Sequence, residues 1–477
     1  MVMNLPVNRF DNSRPLDVHK WSEFPEIKKA VNALATILSC NKAGDKKHLK
    51  IVLLDLYHRY IEDPEGFVAY SRNRNSYTSP SRYNKLFIRY MPLLRCIDLL
   101  FKYSFIEHKK GFQHRERGGR RQSRMRALPK LVELIEHQYG VKQNMIERKF
   151  DNAETVVLRD AEGNNIGYTD NSSTNKMRKL LAAYNELLSI TYIDLNVDDD
   201  ISKGIDFTNK FVYRIFNNKK FNNGGRFYGG WWQSIPRELR PSIVINHKST
   251  NEYDYSGMHI NMLYTMEGIH NDLDTYEMTY ETYTAEQLRP LLKVSLLCIL
   301  NADDEISALK AIRYEQNKDK SLLRVSNLRG LIAAFLEKHE SISKYFYKGL
   351  GIELQYLDSQ IAEYVIREFT RNGRVVLPIH DSFICETSFA HLLPELMRDA
   401  YYKIFEAPAP DIKHKGFAQD EKVQALFKDG MPDGEQLIKH LAIANSARKK
   451  YKNRSSEWSR DRIKSLKSEF LVKYSRL

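Results

Sequence analysis

Two aspartates, Asp254 and Asp381, stand far apart in the chain but in settings that can bring their carboxylates together. Asp254 closes a strand-like run, 252–255, and precedes a helix-like run, 256–266. Asp381 lies at the tip between two short strand-like runs, 374–378 and 382–386. Carboxylates that converge by folding can hold two divalent ions roughly 4 Å apart, which lower the pKa of an attacking hydroxyl and neutralise a transferring phosphate. Mg²⁺ takes hard oxygen ligands, so the two aspartates and the backbone carbonyl of Tyr255 form a candidate ligand set, with Mn²⁺ as a substitute. Taken singly, each aspartate also suits an ordinary helix cap or turn.

A second group supplies the complementary charge. Arg289, Lys293 and Leu297 recur at four-residue intervals in a helix-like run, 284–300, and Asn301 follows at the same interval just past it, so the four share one face. Arg289 and Lys293 can grip the oxygens of a nucleoside triphosphate, and Lys293 can protonate a leaving pyrophosphate. Leu297 can pack on a base, with Asn301 near its template partner. The same spacing also describes an amphipathic helix with a solvated basic end. Further back, Arg226 follows two glycines and precedes Phe227, Tyr228, Trp231 and Trp232. Arg226 is the candidate phosphate contact there; Tyr228 is a candidate support for a base or sugar, and the tryptophans fit a core.

The chain has 477 residues, a formal charge of +14 and 60 acidic residues, so its positive excess must be localised to matter. Part of it is. Lys109, Lys110, Arg115, Arg117, Arg120, Arg121, Arg124 and Arg126 stand against Glu116 alone. That run falls on a predicted hairpin, 105–108 with 123–127, after predicted helices at 81–90 and 92–102. Helix, helix and basic hairpin in that order suit a winged-helix module on nucleic acid, although a solvated loop carries such a run equally well. Other helices are predicted at 26–38, 46–60, 175–188, 304–315, 325–339, 341–346, 352–370 and 392–405, and a Pro-rich turn follows at 407–413. Cys40, Cys96, Cys298 and Cys385 are scattered, which fits neither a zinc knuckle nor a disulfide framework. No apolar run approaches the roughly 20 residues of a membrane span, and the first residues lack a secretory pattern, so a cytoplasmic protein with no membrane partner is expected.

Four short strings, taken in order, resemble a known superfamily. They are G-R-F-Y at 225–228, D-Y-S at 254–256, R-x-x-x-K-x-x-x-L at 289–297 and H-D-S-F at 380–383. Together they resemble the palm and fingers of family A DNA polymerases and phage-type single-subunit RNA polymerases, over roughly residues 211–405. The resemblance implies an α+β right-hand polymerase with a palm and short fingers, preceded by a mainly helical nucleic-acid-binding region. Its implied regions are 1–78, helical; 79–200, basic and winged-helix or thumb-like; 201–410, palm and fingers; and 411–477, basic. It also implies metal binding by Asp254 and Asp381, a grip on nucleotide phosphates by Arg289 and Lys293, and a primer contact at His380. The expected partner is a DNA template with a primer. Two positions depart from the pattern. His259 stands where the DNA polymerases have a glutamate that excludes ribose, and Asn301 stands where both branches place a tyrosine. DNA synthesis is the first expectation; RNA or primer synthesis, or a non-catalytic replication initiator that binds DNA, are the alternatives.

Overall fold

The computed structural model describes residues 13–77, 81–113, 120–149, 153–197, 199–202, 204–271, 274–315, 325–415 and 460–474. It is an α+β protein that divides into two compact units, Met1–Glu154 with Val197–Asn209, and Thr155–Asn196 with Lys210–Leu477. Residues 155–196, expected with the basic region, therefore belong to the second unit.

The first unit contains β1 (Ser13–Pro15), α1 (Pro25–Ile37), α2 (Ala43–Glu62), β2 (Phe67–Tyr70), α3 (Tyr90–Lys102), β3 (Ile106–Lys109) and β4 (Ser123–Ala127). Its sheet runs β1-β2-β4-β3, with Val68 and His108 both opposite Met125. Apolar residues at helical spacing, including Leu34, Leu53, Ile97 and Leu100, close a core against Met125. The helix predicted at 81–90 does not form. Asn84 accepts a hydrogen bond from the Ile88 amide (2.8 Å) and Phe87 adopts a left-handed φ of 49°, so local side-chain bonding competes successfully with the helix.

The second unit carries β5 (Val156–Leu158), α4 (Ser172–Ser189), β6 (Ile193–Leu195), β7 (Val212–Phe216), β8 (Gly224–Gly229), β9 (Ile243–Ile245), β10 (Lys248–Tyr255) and α5 (Met258–Met266). After these come α6 (Ala285–Asn301), α7 (Glu305–Glu315), α8 (Val325–Lys338), α9 (Gly351–Arg371), β11 (Val376–Ile379), β12 (Ser382–Glu386), α10 (Leu392–Phe405), β13 (Ile412–Lys415) and α11 (Arg460–Lys473). The run at 341–346 is a 3₁₀ turn, Glu340–Tyr345, rather than an α-helix. The main sheet has the order β6-β9-β10-β12-β11. The beginning of β10 pairs with β9, and its end pairs with β13. The latter strand takes up the last two residues of the turn expected at 407–413, and it ties residues assigned to a separate C-terminal region into this sheet. A smaller sheet, β8-β7-β5, presents its hairpin to α9. Gly225, at φ 80°, makes that packing possible: a Cβ there would lie 2.7 Å from Phe216 and 2.8 Å from Ser359 Oγ. Trp231 and Trp232 are buried, as a core role requires. No helix among the described residues is long and apolar enough to cross a membrane.

Candidate active site

The antiparallel register places Asp254, near the end of β10, opposite Ser382, the first residue of β12. Asp381 immediately precedes Ser382 in a two-residue loop after β11. His380, the other loop residue, is held at a left-handed φ of 59°, a conformation that non-glycine residues adopt at a cost. Both aspartates line one cleft of about 900 Å³. Burial and then the Asp381 charge push the Asp254 carboxyl above its ordinary range, while Lys415 opposes the shift. Asp254 Oδ2 lies 2.6 Å from Lys415 Nζ. Its Oδ1 is buried and has no hydrogen-bond partner among the described residues. Paired hard-oxygen donors with one orphaned oxygen suit a divalent cation.

Helix α6 lines the same cleft. Arg289, Lys293 and Leu297 all line the cleft, and Leu297 is 52% exposed. Asp274 accepts both ends of the Arg289 fork at 2.9 and 3.0 Å. The Tyr276 ring lies 5.7 Å from the Arg289 guanidinium and 5.6 Å from Lys293 Nζ. Burial, followed by the charge of Asp381, pushes the Tyr276 hydroxyl up to about 12. Burial, followed by Arg289 and Arg237, lowers the Lys293 ammonium below its usual value. Asn301 is the exception on this helix. It donates to the Leu297 carbonyl at 2.8 Å, sits against Gly351 and is not part of the cleft lining, because the helix ends there and the chain turns away.

The smaller sheet contributes Arg226, whose side chain is already engaged. Its Nε lies 2.9 and 3.1 Å from the two carboxylate oxygens of Asp358 on α9, and an Nη also bonds that carboxylate. His259 Nε2 approaches the same Asp358 at 3.0 Å. The residue expected at the sugar-discriminating position is thus fixed by a buried acid, although His259 still borders the cleft. The Tyr228 and His380 rings meet edge to face with centroids 6.0 Å apart. Tyr255 turns its side chain into the core, donating to the Met397 carbonyl at 2.5 Å, so only its backbone is available to the site.

A loop before α6 carries Asp274 and Tyr276, and the end of α8 staples it. Lys338 Nζ donates to the Asp274 carbonyl at 2.7 Å. Buried His339 uses Nε2 to donate to the Thr275 carbonyl (3.1 Å), leaving Nδ1 to accept from the Tyr264 hydroxyl (2.8 Å). That pattern requires a neutral ring, and burial pushes the imidazole down to about 4. Between pH 6.5 and 4 the unfolded chain therefore binds a proton that the folded chain refuses. Stability present above pH 6.5 is expected to fall as pH drops through this window, by up to about 3 kcal/mol. Urea unfolding at pH 7 and 4.5 checks this; His339→Gln should lose less on acidification than wild type, and equal losses would rule His339 out as the cause. At the loop's other edge Gly257, at φ 55°, has no Cβ to meet Thr275 Oγ1, which would lie 2.8 Å away.

Neither a scan against protein-family models nor a search of curated proteins finds a match for this chain.

Several cleft residues carry no obvious sequence signature: Asp274, Tyr276, Arg237, Lys413 and Lys415. Asp358 does carry one. It occupies the buried stripe of α9 that includes Leu354, Ile361 and Val365, where an unpaired carboxylate is not tolerated. The eight basic residues of the first unit fare unevenly. Lys109 and Lys110 are exposed. Arg124 is buried, while Arg126 pairs with Glu65 and Glu107. Arg121 ends a two-residue strand, Arg120–Arg121, that pairs with Phe112–Gln113 ahead of β4; Arg115, Arg117 and the side chain of Arg120 lie outside the described residues. A separate trio, His58, Glu62 and Asp206, has metal-like spacing. Lys20 lies 3.2 Å from Asp206, and Arg59 lies 3.5 Å from Glu62, so this trio reads as part of a structural ion-pair network.

Proposed function

We propose that the chain is a template-directed nucleotidyltransferase that extends a primer 3′ end, with DNA-directed DNA synthesis as the first reading. The observation that carries the proposal is a single cleft lined by Asp254 and Asp381 together with Arg289, Lys293 and Leu297. Asp254 and Asp381 would hold Mg²⁺ or Mn²⁺, assisted by the Tyr255 carbonyl. Bound ions would activate the primer hydroxyl and neutralise triphosphate charge. Arg289 would leave Asp274 for phosphate oxygens, and Lys293, its ammonium already lowered, would donate a proton to the departing pyrophosphate. Leu297 offers an apolar face for the incoming base, and His380 stands beside Asp381 to meet the primer end.

The first unit supports a nucleic-acid role of its own. Its sheet order β2-β4-β3 and the basic β3–β4 hairpin support a winged-helix-like reading, although only α3, not the expected pair of helices, precedes that hairpin; Lys109 ends β3 and Lys110 follows it. A second reading, RNA or primer synthesis, is favoured by His259: bound to Asp358, it places no carboxylate against a ribose 2′ hydroxyl. Extension of a labelled primer-template with deoxynucleotides or ribonucleotides, and synthesis without a primer, distinguish the two. No incorporation under Mg²⁺ or Mn²⁺, with duplex binding intact, would instead identify a non-catalytic DNA-binding initiator.

Arg237 and Lys413 also face the cleft, and both depress the Lys293 ammonium. They are expected to add long-range attraction for a triphosphate. The pair of changes Arg237→Ala and Lys413→Ala should raise the nucleotide KM about 10-fold and leave kcat within about 3-fold. A drop in kcat with KM unchanged would assign them to the transition state instead.

A further inference from the structure

Strand β13 brings a lysine to the centre of the acidic wall. Lys415 lies opposite Glu252 in the antiparallel register, and Lys413 lies opposite Asp254. A long side chain on one strand reaches diagonal neighbours on the next. Lys415 does so: Nζ is 2.6 Å from Asp254 Oδ2 and 3.3 Å from Glu252 Oε1. Glu252 also accepts from Ser382 Oγ at 2.9 Å and lies 3.6 Å from Arg240, so it is a well-supported carboxylate.

We infer that Lys415 is the resident counter-ion of Asp254 and sets how tightly this wall takes a divalent cation. The inference rests on the metal-binding reading of Asp254 and Asp381. Lys415 pairs with Asp254 and Glu252, and Arg240 with Glu252, so two cations meet the three carboxylates Asp254, Asp381 and Glu252. Its pairing with Asp254 is only partly shielded, with the two side chains 26% and 25% exposed, which keeps the pair exchangeable. Glu252 supplies the second position. The ammonium can yield Asp254 Oδ2 and remain on Glu252, so the exchange requires a side-chain shift and no opening of the β10–β13 pairing. Asp254 Oδ1 has no hydrogen-bond partner among the described residues, so it would be available to a cation while Oδ2 stays on Lys415. Lys415 is thus a positioning residue: it holds the aspartate in place before loading and competes with the ion for one of its oxygens.

Mn²⁺ binding to the full chain, read by the electron paramagnetic resonance of free Mn²⁺ without nucleotide or nucleic acid, tests this directly. Lys415→Gln should bind Mn²⁺ about 5–10-fold more tightly than wild type. Lys415→Arg, which keeps the charge, should return to near the wild-type value, and Asp254→Asn should lose the site. If Lys415→Gln binds as wild type does, or more weakly, while Asp254→Asn loses binding, the counter-ion role is overturned and the metal-binding reading stands. If folded wild type and Lys415→Gln both fail to bind Mn²⁺, the metal-binding reading falls and takes the counter-ion role with it.

Discussion

Asp254→Asn and Asp381→Asn are each expected to reduce primer extension by about 10³-fold or more, on the order of 4 kcal/mol in the barrier. Asparagine preserves the shape of either side chain but cannot supply the charge that a divalent cation needs. The two variants should differ in stability. Asp254 is ionised at a cost, because burial and Asp381 both work against its charge. Lys415 offsets part of that cost. Removing the charge should therefore leave the melting temperature of Asp254→Asn unchanged or slightly raised, the usual pattern where a strained site serves function. Asp381 lies at the loop tip and has no lysine paired with it among the described ion pairs, so a smaller change is expected there. Duplex affinity should hold or rise in both variants, since negative charge near phosphates is removed. Single-turnover extension, binding and thermal melts on the same preparations check all three outcomes. Extension at the wild-type rate by either variant would remove the two-carboxylate mechanism.

Much of this architecture could be read from residue order. The long helix α9, the α6 helix with its basic face, and the β11–β12 hairpin around His380-Asp381 follow from strong periodicity and local turn chemistry. Asp254 and Asp381 were recognisable as partners because each sits at the end of a strand, and strand ends are where a sheet gathers side chains into one cleft. Strand β13 was not recognisable. Its residues, Ile412, Lys413, His414 and Lys415, have no apolar alternation, and it exists because the end of β10 offers it a ladder. Lys413 and Lys415 therefore reached the site through tertiary pairing that no local pattern records. The β7–β8 hairpin presents a related case. Gly225 and Gly229 weaken any strand signal, yet they are needed because Phe216 and Ser359 crowd the Cβ position of the first and Phe211 that of the second.

The basic run of the first unit shows how charge counts mislead when read without geometry. Arg124 and Arg126 belong to β4, where Arg126 is held by Glu65 and Glu107, and both guanidinium groups lie over the Phe67 ring. Their positive charge serves the sheet first. Lys109, at the end of β3, is exposed but shares Glu107 (3.3 Å) with Arg126 and the Phe67 ring with both arginines, and Lys110 is exposed just beyond the strand.

Asp358→Ala is expected to be the most damaging single change in the second unit, costing about 3–5 kcal/mol of stability. The Asp358 side chain is 1% exposed and is shared by Arg226 and His259. Truncation leaves a largely buried guanidinium without its carboxylate, which is the expensive way to break an ion pair. Asp358→Asn retains an acceptor and should cost less, about 1–3 kcal/mol. Replacing both partners, with Asp358→Leu and Arg226→Met, should recover a large part of the loss because no charge is then stranded. The recovered protein provides the functional test. If Arg226 serves only to brace β8 against α9, the double variant should extend primers nearly as well as wild type. If the cleft uses its charge on a backbone phosphate, stability should return while primer-template affinity stays low and its salt dependence becomes shallower. Urea unfolding and salt-dependent binding of the same three variants separate these roles. Full stability in Asp358→Ala alone would mean that the carboxylate, despite its burial, does not hold Arg226 of β8 and His259 of α5 together.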